Sequence, residues 1–364
     1  MKKALKIVSG IMTLVLLTVL FGACQSNSAS SSAAAPSAPS DAGGAAPESS
    51  TAPANAEFTF ITASPVAEDS VNHYIVWKAK ELMEEKSGGR IAMNIYESGQ
   101  LGGDRESIEG LQAGTIDFFI TISATYVPFV PELGVFDLPN VFPNIDVARK
   151  VFDSGIINEV SAACENAGLK IMAFSDAGFR HVTTNKPIAS VADFNGLKLR
   201  TMQNPNHMAY FTALGASPTP MDYSELYISL QQGTIDGQEN AYDLIVANKL
   251  YEPQKYVTET NHLIHALIMM MSKAKYDALP DDIKAIVEES VIEAHQYGRQ
   301  VADERIESRK KIITDYGLTI NEISPELRAD MLKAAEPVYD KIRSEVGSDL
   351  VDALLGAIEE AEKR

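Results

Sequence analysis

The chain has 364 residues, with 49 Asp and Glu against 31 Lys and Arg, giving a formal net charge of −18. So acidic a balance repels phosphate backbones, which excludes a nucleic-acid partner and favours solubility outside the cell. With 45% apolar residues in the chain, the roughly 308 residues beyond the N-terminal leader and the tether that follows it suit two lobes better than one core.

Lys2, Lys3 and Lys6 precede an apolar run over 7–20 and then Phe21-Gly22-Ala23-Cys24. This reads as a secretory signal over 1–24, too short and wrongly flanked for a membrane span. Small residues before a cysteine resemble a bacterial lipobox, so Cys24 is expected to become lipidated and N-terminal, although Phe21 stands where Leu is commoner. The alternative is an ordinary signal cut near Ala23. Residues 25–56, rich in Ser, Ala, Pro and Gly, cannot repay the entropy of ordering and predict a flexible tether. Loss of the leader's lysines takes the net charge to about −21. Cys164 is then the one remaining thiol, so no internal disulfide can form, and its helical setting (AACENAG) gives it a packing role.

From residue 57 strand and helix signals alternate. EFTFITAS (57–64) alternates as a strand, and NHYIVWKAKELMEEKSGG (72–89) reads as an amphipathic helix closed by Gly88-Gly89. RIAMNIYE (90–97) is a second strand, GGDRESIEGLQAG (102–114) a helix stopped by Gly114, and TIDFFITIS (115–123) a short buried strand. Such alternation predicts an α/β protein with mainly parallel pairing and helices on both sheet faces. LQAGTID at 111–117 returns as LQQGTID at 230–236. Each stands at a predicted helix end, with a glycine placed to take the left-handed position before a strand. Either the halves share a helix–turn–strand unit or the match is coincidence; the first reading supports two similar lobes with a cleft between them.

YVTETNHLIHALIMMMSK (256–273) is strand-like, and 275–315 reads as helix with Ile283, Ile286, Val287, Val291 and Ile292 on one side. A helix over 281–315 spans about 50 Å at 1.5 Å per residue, enough to cross both lobes. Pro325 opens a last helix over 326–345. The expected division is 57–177 with about 266–305 as one lobe, and 178–265 with about 306–364 as the other.

Catalytic motifs are missing. There is no GxxxxGK[ST], since GQLGG at 99–103 lacks the lysine and the spacing, and no GxSxG. His262 and His265 are three apart in a stretch read as a strand, which puts them on opposite faces and predicts no metal site. No carboxylate pair stands out for acid–base work. The expectation is therefore no enzyme, no cofactor and no metal. Two arginines stand out instead. Arg180 follows the strand LKIMAFSDAGF and Arg200 ends LKLR, so both fall at strand carboxyl ends, where open α/β sheets bind ligands. A guanidinium matches a carboxylate with two parallel hydrogen bonds, though a surface ion pair is the alternative for each.

IYESGQLGGDRESIEGLQAGTID (95–117), FRHVTTNKPIASVADFNGLKLRTMQNP (179–205) and LGASPTPMDYSELYISLQQGTIDGQEN (214–240) are similar to the solute-binding proteins of TRAP transporters, the tripartite ATP-independent periplasmic type in its DctP-like form. The match continues through KLYEPQKYVTETNH and LPDDIKAIVEES, covering about 57–345. The resemblance implies a two-lobed, flytrap-like periplasmic-binding-protein fold that closes on a small organic acid anion and delivers it to a membrane permease driven by an ion gradient. It implies that Arg200 pairs with the ligand carboxylate, that Arg180 adds a second cationic contact, and that Asn240 hydrogen-bonds the ligand. Tyr223 would pack over it and Gln203 add a polar contact. Ala63, Ser64 and His73 face the cleft on a rough alignment; His73 could equally be a helix N-terminal residue without a ligand. Departures are Thr201-Met202 in place of Val-Pro, Ile122 (beside Ser123) in place of a glutamate, and Ala241 in place of proline. The missing glutamate disfavours sialic acid. The expected protein is a monomeric, extracytoplasmic receptor, lipid-anchored at Cys24, for a sugar acid or a C4-type hydroxy or dicarboxylic acid. A sensory receptor coupled to a membrane kinase, and an enzyme in the same cleft, are the rival readings.

Overall fold

The computed structural model describes residues 56–363. The signal over 1–24, the lipidation at Cys24 and the tether up to residue 55 lie outside the described residues. Ten strands are β1 (Phe58–Ala63), β2 (Ile91–Tyr96), β3 (Phe118–Ile122), β4 (Leu169–Thr184), β5 (Lys198–Thr201), β6 (Ser217–Pro220), β7 (Gly237–Ala241), β8 (Tyr256–Glu259), β9 (Ile264–Ser272) and β10 (Thr319–Glu322). The helices are α1 (Val71–Lys86), α2 (Asp104–Ala113), α3 (Ile145–Phe152), α4 (Ile156–Asn166), α5 (Pro205–Ala213), α6 (Leu226–Gln231), α7 (Tyr242–Ala247), α8 (Lys273–Asp277), α9 (Asp281–Tyr316), α10 (Pro325–Val346) and α11 (Ser348–Lys363). Among the described residues no helix is long and apolar enough to cross a membrane.

The strands run β2-β1-β3-β9-β4-β7-β5-β6, with β8 joining β4 to β10. Within each half the pairing is parallel: β1 with β2 and β3, and β5 with β6 and β7. The sheet as a whole is mixed rather than mainly parallel, because β9 and β4 enter it antiparallel to their neighbours. β4 belongs to both halves. Leu169–Phe179 pair with β9, and from Arg180 onward the strand pairs with β7 and β8. The sequence expectation ended this strand at Phe179. It continues because a bulge between Asp176 and Phe179, with Gly178 at φ +83°, turns the strand without ending its pairing.

The two TID segments occupy equivalent places. Gly114 (φ +72°) and Gly233 (φ +68°) take the left-handed position after α2 and α6, where a side chain would be strained. Asp117 then gives its N–H to Ile61 O and takes the Ile61 N–H on Oδ2 at 2.7 Å. Asp236 does the same with Lys198, whose N–H reaches its Oδ2 at 2.9 Å. In both halves, then, the aspartate staples the incoming strand to its parallel neighbour.

α9 is the long helix expected. Its Ile283, Val287, Val291 and Ala294 pack with α1 and β1–β3 side chains, and Ile313 packs far along it with Tyr242, Ile245 and Val257. The helix therefore runs under both halves of the sheet. α10 matches the last helix that the sequence announces, while α11 was not foreseen. Its Val351, Leu354 and Ile358 are buried, joining the core cluster that contains Val147, Val151 and Val160 of α3 and α4. Cys164, on α4, is buried and free, and burial pushes its thiol up to about 12.

Candidate functional site

Between the halves lies a narrow pocket. The first half contributes Val66, Asn72, Asp104, Thr121 and Ile122, and the second Arg200, Met202, Tyr223, Asn240 and Leu244, with Arg180 and His265 at its base. The halves meet above it: a Cβ on Gly103 would lie 2.2 Å from Asp222 Oδ2, so only glycine permits that approach.

Arg200 is 1% exposed, on β5. Its Nε and Nη2 donate to the Met221 carbonyl at 3.2 and 2.8 Å, and its Cζ stands 5.8 Å from the Tyr223 ring. Among the described residues no carboxylate lies within 4.0 Å of it. Burial lowers its pKa, and so does Arg180, while Glu239 and Asp104 act against that. An interior cation without a counter-charge in contact is costly, and an anion entering the pocket would relieve the cost.

Arg180 differs. It sits inside β4 opposite Ala241, not beyond a strand end, and is fully buried. Its Nε and Nη2 grip the Glu239 carboxylate at 2.5 and 2.8 Å, Nη2 also reaches Glu239 O at 2.6 Å, and Nη1 donates to His265 Nδ1 at 2.6 Å. The guanidinium is thus already neutralised by a resident acid. Burial would push Glu239 up, but Arg180, His207 and His262 outweigh it and hold the carboxyl well below its ordinary range. His207 is pulled down by burial yet held at about 9, because Asp137 and Glu239 both face it. His262 Nε2 lies 3.1 Å from Glu239 Oε2 and its Nδ1 2.7 Å from Thr260 Oγ1. His262 and His265 do not point apart as a shared strand would require. β9 begins only at Ile264, so His262 is in the preceding loop, and both imidazoles reach the Arg180–Glu239 pair. Burial lowers both their pKa values, leaving neutral rings. No group of three or more His, Cys, Asp or Glu among the described residues is arranged to hold a metal.

The other expected positions divide. Asn240 and Tyr223 line the pocket, and the Tyr223 hydroxyl is buried without a partner. Gln203 is exposed at the mouth beside Asp222 and Arg105. Ser64 and Ser123 are buried at 1% and 2% but are not in the lining, which their neighbours Pro65 and Ile122 supply. His73 also stands outside it, its Nδ1 2.8 Å from Glu97 Oε1 and its backbone N–H capped by Ser70. The sequence reading missed Asp104, Asn72, Thr121 and Leu244. Asp104 was detectable, since it opens a helix directly after a strand and glycine turn. Thr121 donates to its Oδ1 at 3.0 Å; burial and Asp222 raise its pKa to about 6, against Thr121 and Arg200.

A further cluster ties the halves beside the pocket. Asp243, next to Leu244, takes the Val71 N–H at the start of α1 on Oδ2 at 2.7 Å. Arg305 and Arg309 of α9 reach Asp243 Oδ1 at 3.5 Å and hold Asp69 as well.

A two-part α/β body closed over a buried cation defines a solute-binding protein of the periplasmic type. The sequence profile described as bacterial extracellular solute-binding protein, family 7 (DctP), matches residues 62–345, and the chain belongs to this family, the binding components of TRAP transporters. It is 34% identical over 284 residues to a solute-binding protein of Verminephrobacter eiseniae, covering 77% of this chain and 83% of the relative. The sugar acid binding protein DctPAm of Advenella mimigardefordensis, solved with galactonate, superposes with a TM-score of 0.81 at 28% identity, over 83% of this chain and 98% of that one. A TRAP periplasmic solute-binding protein of Bordetella bronchispeptica, with density assigned to pantoate, gives 0.78 at 34% identity, over 82% and 99%. The protein is an extracytoplasmic solute-binding receptor whose relatives bind carboxylates and sugar acids.

Proposed function

We propose that Arg200 is the carboxylate clamp, and that a small organic acid anion enters between the halves and is buried when they close. One observation carries this reading: a guanidinium 1% exposed, on a pocket wall, with no carboxylate within 4.0 Å among the described residues. Asn240 and Tyr223 complete the wall around it, and Gln203 guards the mouth. Arg180, held by Glu239, acts as a rigid backing dipole more than as a second clamp. An organic acid as ligand fits the galactonate bound by one similar protein and the density assigned to pantoate in another. The moving lobes follow the division 57–177 with about 266–305, and 178–265 with about 306–364, except that α11 packs on α3 and α4 and moves with them. The filled receptor hands its cargo chemically unchanged to a TRAP permease for ion-gradient-driven uptake, and a lipid on Cys24 keeps it at the membrane.

Isothermal calorimetry against an organic-acid panel tests the clamp. Arg200→Ala is expected to lose about 3 kcal/mol, roughly a hundredfold in affinity, because a buried carboxylate forfeits a charge-assisted partner. Arg200→Lys is expected to fall between, lacking the planar fork. Unchanged affinity in Arg200→Ala would refute the role.

A further inference from the structure

The pocket's lining counts charge and polarity as well as offering a clamp. Arg180 and Glu239 cancel, His265 is neutral, and Asp104 faces the same space as Arg200. At the mouth Asp222 adds negative charge and Arg105 is paired with Glu109 at 3.3 Å, so among the described residues the site has no second unpaired cation to receive a second carboxylate. Part of the lining is apolar, interrupted by Thr121, whose hydroxyl is spent on Asp104, and Thr125, whose hydroxyl is spent on the Ile122 carbonyl. Val66, Ile122, Met202 and Leu244 are 4%, 6%, 5% and 4% exposed, and Ile122 and Met202 touch across the two halves through a small cluster with Ala124. A polyhydroxylated chain laid there would leave hydroxyls without partners, which is expensive in an enclosed site. Three polar groups remain for a ligand's hydroxyls, fewer than a sugar acid carries. Asn72 Oδ1 and the Tyr223 hydroxyl are buried without a partner, and Asp104 presents its carboxyl.

We infer that the pocket selects a short monocarboxylate whose carbon body carries an alkyl branch and one hydroxyl, with the branch on Ile122, Leu244 and Met202 and the hydroxyl donating to Asn72 or Asp104. Ile122 and Leu244 are the specificity-determining residues. This rests on Arg200 as the carboxylate clamp and narrows the ligand within that reading. Dicarboxylates are rejected because their second charge meets Asp104 and an apolar wall. Long sugar acids are rejected because their hydroxyls go unmet.

The test is calorimetry on the full chain with 2-hydroxyisovalerate, succinate and D-galactonate. The branched hydroxy acid is expected to bind at least tenfold more tightly than either of the others. Ile122→Asn and Leu244→Asn, each checked for a retained melting transition, are expected to shift the ratio toward galactonate by roughly tenfold, the scale on which pocket polarity discriminates. Succinate or galactonate binding as tightly as the branched acid overturns the inference, as does an unchanged ratio in both variants. If that reversed preference is lost in Arg200→Ala, the clamp stands and only the ligand class fails. If none of the three acids binds, the clamp reading fails with it.

Discussion

The segments after the two TID turns share one frame and carry opposite chemistry. Counting from Asp117 and Asp236, Phe118 corresponds to Gly237, Ile120 to Glu239, Thr121 to Asn240 and Ile122 to Ala241. Both strands are fully buried, and Thr121 and Asn240 both line the pocket. β3 is otherwise apolar and needs no partners. β7 carries Gln238, Glu239 and Asn240, each satisfied by a neighbour: Thr183, Arg180 with His262, and Gln238 in turn. A repeated scaffold thus sets position, while the residues hung on it decide that one wall is polar and charged and the other mainly apolar.

The largest test of that contrast is Glu239→Gln. It leaves Arg180 buried without its counter-charge and is expected to cost about 3–5 kcal/mol, read as lost stability in urea unfolding. Ile120→Val, at the equivalent place, is expected to cost only about 1 kcal/mol. A similar cost for both would erase the distinction between the walls. Next comes Gly237→Ala. Its Cβ would lie 2.3 Å from Thr183 O, so β7 must move away from β4, and about 1–3 kcal/mol should be lost.

The third prediction concerns what joins the halves. Burial raises the Asp243 carboxyl from 3.8 to about 6, opposed by the Val71 N–H and Arg305. The folded protein then keeps a proton that the unfolded chain has released. The resulting stability is complete below about pH 4 and is lost as pH rises through about 6. Asp243→Asn is expected to flatten that decline by about 2 kcal/mol, visible in melting temperatures measured from pH 4 to 7. Asp104, raised to the same value, adds to that decline, whereas His181, His262, His265 and His295, lowered by burial, give a rise over the same range, so the Asp243 contribution is read as the difference between the variant and parent profiles. An unaltered profile would remove Asp243 from the account.

The smallest effect separates the aspartates themselves. Asp117 is buried at 5% and Asp236 is exposed, so Asp117→Ala should cost about 1–2 kcal/mol and Asp236→Ala under about 1. Chemical denaturation resolves that difference.

Much of this frame was legible from periodicity and glycine placement. β1 through β3, α1, α2 and α9 follow from patterns local to each segment. The bend in β4 was not, since Ala177-Gly178 looks like a strand end until its partners are known. Arg200 and Arg180 look alike in sequence, and nothing local says that one will be met by Glu239, 59 residues away, and the other by a carbonyl. Asn72 and Leu244 were overlooked for the same reason: their neighbours are set by how the halves approach, which no single stretch encodes.

β4 has one further consequence. The chain changes sides along a hydrogen-bonded strand, again between β8 and β9, and a third time along α9, so no single cut releases an intact half. Expressed alone, either part would present raw sheet edges and a stripped helix face, and would aggregate instead of folding. The molecule is therefore mechanically indivisible.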